Sequence, residues 1–128
     1  MSTEIRRACI SGIERIAALL LALALCAAVA ADGPGFRSKR QLDEHYAKHG
    51  AEFGHISKQE YLRMARALRD APPGGTILEA VRADGVTTRF DRKKGWFGAF
   101  NPDRTIRTFF IPVDGERYFR RQARRPAR

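Results

Sequence analysis

The stretch Ser38–Gly54, SKRQLDEHYAKHGAEFG, has the pattern of a short helix with a chemically reactive face. Ser38 and Gln41 fit a capping box, in which a hydroxyl and an amide side chain bind backbone groups at the start of a helix. His45 and His49 are four residues apart, so a helix places both on the same face. The stretch therefore predicts a helix that carries two neighbouring imidazoles.

The end of this helix is predicted at Gly50, in the left-handed conformation that glycine adopts readily. Leu42 and Tyr46 give the helix an apolar stripe for packing. Lys48 lies beside the histidines, so we expect positive charge at this end of the helix.

A second helix and four strands are predicted beyond this stretch. Ser57–Glu60 repeats the capping-box pattern, apolar residues then recur at helical spacing to about Arg69, and Pro72–Gly75 ends the helix. The apolar period then changes to that of strands, with a hairpin signal at Asp84-Gly85. The strand-like segments are Thr76–Arg82, Val86–Asp91, Trp96–Phe100 and Thr105–Ile111. Helices followed by antiparallel strands indicate an α+β domain.

The fourth strand is expected to alternate strictly between two faces. Ile106, Thr108 and Phe110 would then share one face, and Arg107 and Phe109 the other. The segment after it, residues 116–122, fits either a short helix or an edge strand, with Tyr118 and Phe119 as its packing anchors.

Residues 1–30 have the pattern of a secretory signal peptide. Three arginines are followed by an uncharged Leu- and Ala-rich run, Ile16–Val29, and Ala28-Val29-Ala30 fits a cleavage signal. We expect a bacterial protein that is secreted or periplasmic, with no stable membrane insertion after cleavage. An uncleaved membrane anchor is the alternative. The remaining regions are a linker at 31–37, a domain at 38–122 and a basic tail at 123–128.

The predicted mature chain is small, basic and free of cysteine. Removing residues 1–30 leaves 98 residues with 21 basic and 12 acidic side chains, a net charge of +9. Both cysteines leave with the leader, so packing without disulfides has to stabilise the fold. Such a charge favours phosphate-rich partners or anionic surfaces, although it also serves solubility.

The three histidines partly fit the zinc-binding run of metzincin proteases. His45, His49 and His55 have its spacing, but Tyr46 replaces the glutamate that acts as general base and Glu52 replaces a glycine. Zinc bound by histidines alone stays open as an alternative. We predict no cofactor.

Cleavage of RNA without a metal is the second chemistry that these residues support. Attack by a ribose 2′-hydroxyl needs a base, an acid and positive donors around the phosphate. Histidine serves in either proton-transfer role, and Lys48, Arg107 and the basic turn Arg92-Lys93-Lys94 supply charge. Thr108 supplies a hydroxyl donor.

Three motifs in order resemble those of small bacterial toxin ribonucleases. They are H-x-x-K-H-G-x-x-F-G at His45–Gly54, I-R-T-F-F at Ile106–Phe110 and D-G-x-x-Y-F at Asp114–Phe119. The resemblance, which covers Phe36 to about Gln122, is to the group of barnase, EndoU, colicin D and RelE-like nucleases, in particular its colicin D-like and phage-borne branch. It implies two N-terminal helices packed on a four-stranded antiparallel sheet, and metal-independent endoribonuclease activity.

The same resemblance implies roles for individual residues. The catalytic histidine of the helix falls on His49, with Lys48 beside it as a phosphate-binding or charge-stabilising group. The hydroxyl on the strand falls on Thr108, with Arg107 adjacent, and His45 is a second catalytic candidate. RNA is the implied partner, with tRNA as a candidate target, an acidic immunity or inhibitor protein as a candidate binder, and a monomer as the expected state.

Two other classes of function fit the same sequence. An exported module of the same fold would hold nucleic acid or another polyanion without cleaving it. An exported protein-interaction domain would use the charge to bind an acidic partner. Mutation of His49 distinguishes the enzyme from the binding module, because cleavage depends on proton transfer and binding does not.

Processing gives the first testable prediction. The exported protein should begin near Ala31, because Ala28-Val29-Ala30 places small residues at the positions that signal peptidase reads. N-terminal sequencing of material from the periplasm or medium measures this. An intact Met1 on the exported protein would contradict it.

Overall fold

The computed structural model of the chain describes residues 33–126, so the predicted signal peptide lies outside the described part. Within this part the chain forms helices and an antiparallel sheet, which confirms the α+β class. The helices are α1 (Lys39–His49), α2 (Lys58–Asp70) and α3 (Glu116–Ala123), and a 3-10 turn at Gly50–Phe53 follows α1. The strands are β1 (Ile77–Val81), β2 (Thr87–Asp91), β3 (Trp96–Phe100) and β4 (Ile106–Phe110).

Both predicted helix starts are present as side-chain caps. The Ser38 hydroxyl accepts the N–H of Gln41 at 3.1 Å, and the Ser57 hydroxyl accepts the N–H of Glu60 at 3.0 Å. Each bond satisfies a backbone donor that the first turn of a helix leaves unpaired. The segment for which the sequence left two alternatives is helical, as α3.

The four strands form a meander in the order β1-β2-β3-β4, and every neighbouring pair is antiparallel. The predicted hairpin turn is present between β1 and β2. There the Asp84 carboxylate accepts the N–H of Val86 at 3.1 Å, and Gly85 has a φ of 81°, which favours glycine. Short turns therefore account for the sheet order.

Apolar side chains cover both faces of the sheet. On one face α2 packs against β3 and β4, and the Tyr61 hydroxyl, which is fully buried, donates to the carbonyl of Phe109. On the other face Phe119 of α3 lies over Phe90 and Phe97. The sheet is thus the middle layer between α1 and α2 on one side and α3 on the other.

Part of the predicted linker belongs to the folded body. Phe36 forms a parallel bridge with Ile106, and the N–H of Ile106 donates to the carbonyl of Gly35 at 2.9 Å. Arg69, which belongs to α2, binds the carbonyl of Pro34 through its guanidinium group. The segment from Gly33 onward is therefore held along the free edge of β4.

A β-bulge corrects the predicted alternation of β4. Ile106 and Phe109 both lie in the core that faces α2, whereas Thr108 and Phe110 contact the side of α3. The pairing of β3 with β4 skips Arg107, which is the extra residue of the bulge. Strict alternation was wrong here because one extra residue exchanges the faces on either side of it.

The prediction of a left-handed Gly50 is also wrong. Gly50 has φ −54° and ψ −41°, the right-handed helical values, and the chain continues from it into the 3-10 turn. A side chain is excluded for another reason: a Cβ at this position would lie 2.8 Å from the ring of Tyr46. The positive φ that ends the turn, 93°, is at Gly54.

Replacing Gly50 tests this explanation. Gly50→Ala should lower the free energy of unfolding by about 1–3 kcal/mol, because the added methyl group overpacks against Tyr46. In a Tyr46→Ala background the same change should be nearly neutral, because alanine adopts the right-handed helical conformation of residue 50 without strain. Urea denaturation of the four proteins measures the coupling. Gly35→Ala is the control, because its Cβ meets its nearest neighbour at an ordinary 3.4 Å. An equal cost in both backgrounds would contradict the role of Tyr46.

Candidate functional site

A cavity of about 480 Å³ lies where α1, the end of β4 and α3 meet, and most of the predicted catalytic side chains line it. We call it the histidine cavity. Its lining combines two imidazoles with a lysine, a carboxylate, two hydroxyls and one apolar ring: Glu44, His45, Lys48, His49, Thr108, Phe110 and Tyr118. The four predicted catalytic residues, on α1 and β4, are therefore brought together.

His49 is held from two sides. Its Nδ1 donates to Oε2 of Glu52 at 2.6 Å, and its ring stacks on Phe110 with centroids 5.0 Å apart and planes at 24°. The other oxygen of Glu52 accepts the N–H of Ile111 at 2.9 Å. A carboxylate only accepts, so the proton on His49 is at Nδ1 and the free nitrogen is Nε2. The side chain keeps 16% of its surface exposed, which leaves the ring reachable.

His45 is fixed in the same tautomer by a different partner. Its Nδ1 donates to the backbone carbonyl of Gln41 at 2.8 Å, one turn earlier in α1, and its ring lies 4.9 Å from that of Phe36. The centroids of His45 and His49 are 6.4 Å apart. Both imidazoles therefore leave Nε2 as the nitrogen available for proton transfer.

Lys48, Thr108 and Tyr118 complete the polar lining. Lys48 is exposed, so its ammonium is accessible to an anion. Tyr118 is fixed by edge contacts to Phe97 and Phe110, at centroid distances of 4.9 and 5.2 Å. The cavity thus offers one cation and two hydroxyl donors beside the two imidazoles.

A second cavity of about 510 Å³ adjoins the first, because Thr108 and Tyr118 line both. We call it the arginine cavity, after Arg82, Arg107 and Arg125 in its lining. The sequence predicted Arg107 and Thr108 on opposite faces, but both line this cavity as a result of the bulge.

Asp84 is the one carboxylate in the lining of the arginine cavity. Arg82 binds it through two nitrogens at 3.2 and 3.3 Å, and Nη1 of Arg107 lies 4.0 Å from it. The N–H of Val86, together with Arg82 and Arg107, holds the pKa of Asp84 below its usual value. Asp84 therefore stays ionised and balances one of the three arginines.

The basic turn at Arg92, Lys93 and Lys94 lines neither cavity. Arg92 binds the Glu116 carboxylate at 2.8 and 3.1 Å, and this bond, with that of Arg120, lowers the pKa of Glu116 to about 2. The turn therefore ties the end of β2 to the start of α3. The ammonium of its third residue, Lys94, lies 4.4 Å from the centroid of the Trp96 ring.

The histidines do not form a metal-binding group in the described structure. His55 is exposed and is absent from the lining of the histidine cavity. Among residues 33–126 no three His, Cys, Asp or Glu side chains are arranged to hold a metal ion. The pairing that is present, His49 with Glu52, is an imidazole–carboxylate hydrogen bond.

Sequence reasoning missed Glu52 and Tyr118 as members of the site. Glu52 is three residues after His49, a spacing at which helical side chains meet. Because the helix was predicted to end at Gly50, this contact was not expected. Tyr118 was expected only to anchor its segment. Its place in both cavities depends on the packing of α3 against β3 and β4, which no local pattern shows.

Comparisons with known proteins add no assignment: no protein-family model matches the chain, and no curated protein is significantly similar to it. In the described part, residues 33–126, no helix is long and apolar enough to cross a membrane.

Replacing Glu52 tests how His49 is held. In Glu52→Gln the single amide oxygen keeps the N–H of Ile111, and the amide NH2 then faces Nδ1 of His49, which has to become an acceptor. We expect the Nε2–H tautomer of His49 to become populated, as measured by ¹⁵N NMR of the neutral ring. Glu44→Gln is the matched control, because Glu44 lines the same cavity but binds Arg40. An unchanged tautomer in Glu52→Gln would contradict the assignment.

Proposed function

We propose that this protein is an exported, basic endoribonuclease that cleaves RNA without a metal ion. The observation that carries the proposal is the histidine cavity, in which two imidazoles with free Nε2 atoms lie beside Lys48 and Thr108. This set provides a base, an acid and donors for a phosphate, the groups that attack by a 2′-hydroxyl requires.

In the proposed reaction one proton is taken up by the enzyme and one is released. One imidazole takes the proton of the 2′-hydroxyl as the 2′ oxygen bonds to phosphorus, and the other, as imidazolium, gives a proton to the 5′ oxygen as its bond to phosphorus breaks. His49 and His45 fill these two roles. Lys48, with the hydroxyls of Thr108 and Tyr118, stabilises the charge on the phosphate oxygens. The products carry a 2′,3′-cyclic phosphate and a 5′-hydroxyl.

The resemblance to toxin ribonucleases supports the same assignment. It placed the catalytic histidine at His49 and the strand hydroxyl at Thr108, and these residues line one cavity although they come from different elements. We include the chain in the group of barnase, EndoU, colicin D and RelE-like nucleases as part of the proposal.

Charge and export fit this activity. The net charge of +10 on the full chain favours a polyanionic substrate. A signal peptide would keep the enzyme apart from the RNA of the producing cell, and an acidic immunity or inhibitor protein is the partner that would control it. RNA, with tRNA as a candidate, is the proposed substrate of a monomeric enzyme.

Substitution of His49 is the central test. His49→Ala should reduce cleavage of total RNA by about 10²–10⁴, because one proton-transfer group is lost. RNA affinity should change little, since phosphate contacts dominate it. His55→Ala is the matched control, a histidine outside the cavity. Equal activity in both variants would contradict the site, and RNA binding without cleavage by the wild-type protein would favour the binding module.

The metal and the ends of the products give a second test of the same proposal. Cleavage should persist in EDTA and yield 2′,3′-cyclic phosphate and 5′-hydroxyl ends. A substrate with a 2′-deoxy sugar at the cut site should resist, because the nucleophile is missing. Loss of activity in EDTA with recovery in zinc would show that the histidines act as metal ligands, contrary to the mechanism.

A further inference from the structure

The arginine cavity carries an excess of positive charge that the proposed cleavage does not use. Of its three arginines, Arg82 is almost fully buried and is matched by two hydrogen bonds to Asp84. Arg107 keeps half of its side chain exposed and touches Asp84 only at 4.0 Å, and Arg125 contacts Gln122 at 3.5 Å. One carboxylate thus leaves a net charge of about +2 in the cavity, carried by Arg107 and Arg125.

This positive cavity adjoins the histidine cavity. Thr108 and Tyr118 line both, so a chain that passes between their hydroxyls occupies the two cavities in succession. A single-stranded nucleic acid repeats one phosphate per nucleotide, and grooves that bind it follow the backbone with basic side chains. Two adjoining cavities, each with cations, match two successive phosphates.

We propose that the arginine cavity binds the phosphate next to the one that is cleaved, with Arg107 and Arg125 as its ligands. This inference rests on the proposed ribonuclease function and extends it to a substrate of at least two phosphodiesters. The lining offers a base little stacking surface, because Phe97 is only 1% exposed and Tyr118 already makes edge contacts with Phe97 and Phe110. Exposed guanidinium groups instead suit a phosphate, which accepts two parallel hydrogen bonds.

Short substrates with one ribonucleotide each isolate the second phosphate. The reference is a dinucleotide rNpdN, with four bases mixed at the ribonucleotide. The others are dNprNpdN, which adds a phosphate on the 5′ side, and rNpdNpdN, which adds one on the 3′ side. Each has one cleavable bond, so a difference in kcat/KM reports the added nucleotide, and loss of that difference on removal of the arginines assigns it to the added phosphate.

For the wild-type enzyme one of the longer substrates should be cleaved with a kcat/KM about tenfold higher, which corresponds to one charged hydrogen-bond contact. In Arg107→Gln/Arg125→Gln this gain, measured as the ratio of kcat/KM between the longer substrate and rNpdN for the same variant, should disappear. The matched control is Arg120→Gln/Arg121→Gln, which removes the same charge from α3 at residues bound to Glu116 and Asp114. Arg125→Gln alone, a fully surface change, serves if the double variant is unstable.

The outcomes separate this inference from the proposed function. No gain from either longer substrate, or a gain that persists in Arg107→Gln/Arg125→Gln, overturns the inference and leaves the ribonuclease intact. If the wild-type protein cleaves nothing, the function fails. Binding of an all-deoxy hexanucleotide then tests the cavity. The plot of log affinity against log salt should become less steep by about 0.7 in Arg107→Gln/Arg125→Gln, and should keep its slope in Arg120→Gln/Arg121→Gln. Equal slopes in the two variants overturn the inference.

Discussion

Ile106 and Phe109 are both fully buried against α2, and this constraint shapes the side of the sheet where the candidate site lies. Residues three apart in a regular strand lie on opposite faces, so both can face the helix only if the strand contains one extra residue. The extra residue is Arg107. The bulge therefore directs Arg107 and Thr108 to the same surface, where the two cavities adjoin. Core packing on one face of the sheet determines the chemistry available on the other.

The histidine cavity depends on contacts between all layers of the fold. His49 ends α1, its ring stacks on Phe110 of β4, and Tyr118 of α3 packs against that same phenylalanine. Glu52 joins the layers electrostatically, because one of its oxygens binds His49 and the other binds the backbone beyond β4. Such a carboxylate fixes the tautomer of an imidazole without occupying the nitrogen that reacts.

What the sequence predicted correctly depends on neighbouring residues, and what it missed depends on distant ones. The caps at Ser38 and Ser57 and the turn at Asp84 follow from side chains that bond to backbone two or three residues away. Gly50 is required by the ring of Tyr46, which a pattern for helix ends does not include. The bulge at Arg107 satisfies a tertiary packing requirement, so the periodicity of the strand contains no sign of it.

The bond between the Ile111 N–H and the Glu52 carboxylate joins residues that are 59 positions apart in the chain. The candidate site therefore cannot form within one hairpin or helix, because its residues come from several elements. Contacts at such separation carry a large loop-closure entropy and form slowly. A chain that is still unfolded therefore contains the proposed catalytic residues without the tertiary contacts that bring them together. For the proposed ribonuclease, the onset of cleavage would report the completion of folding.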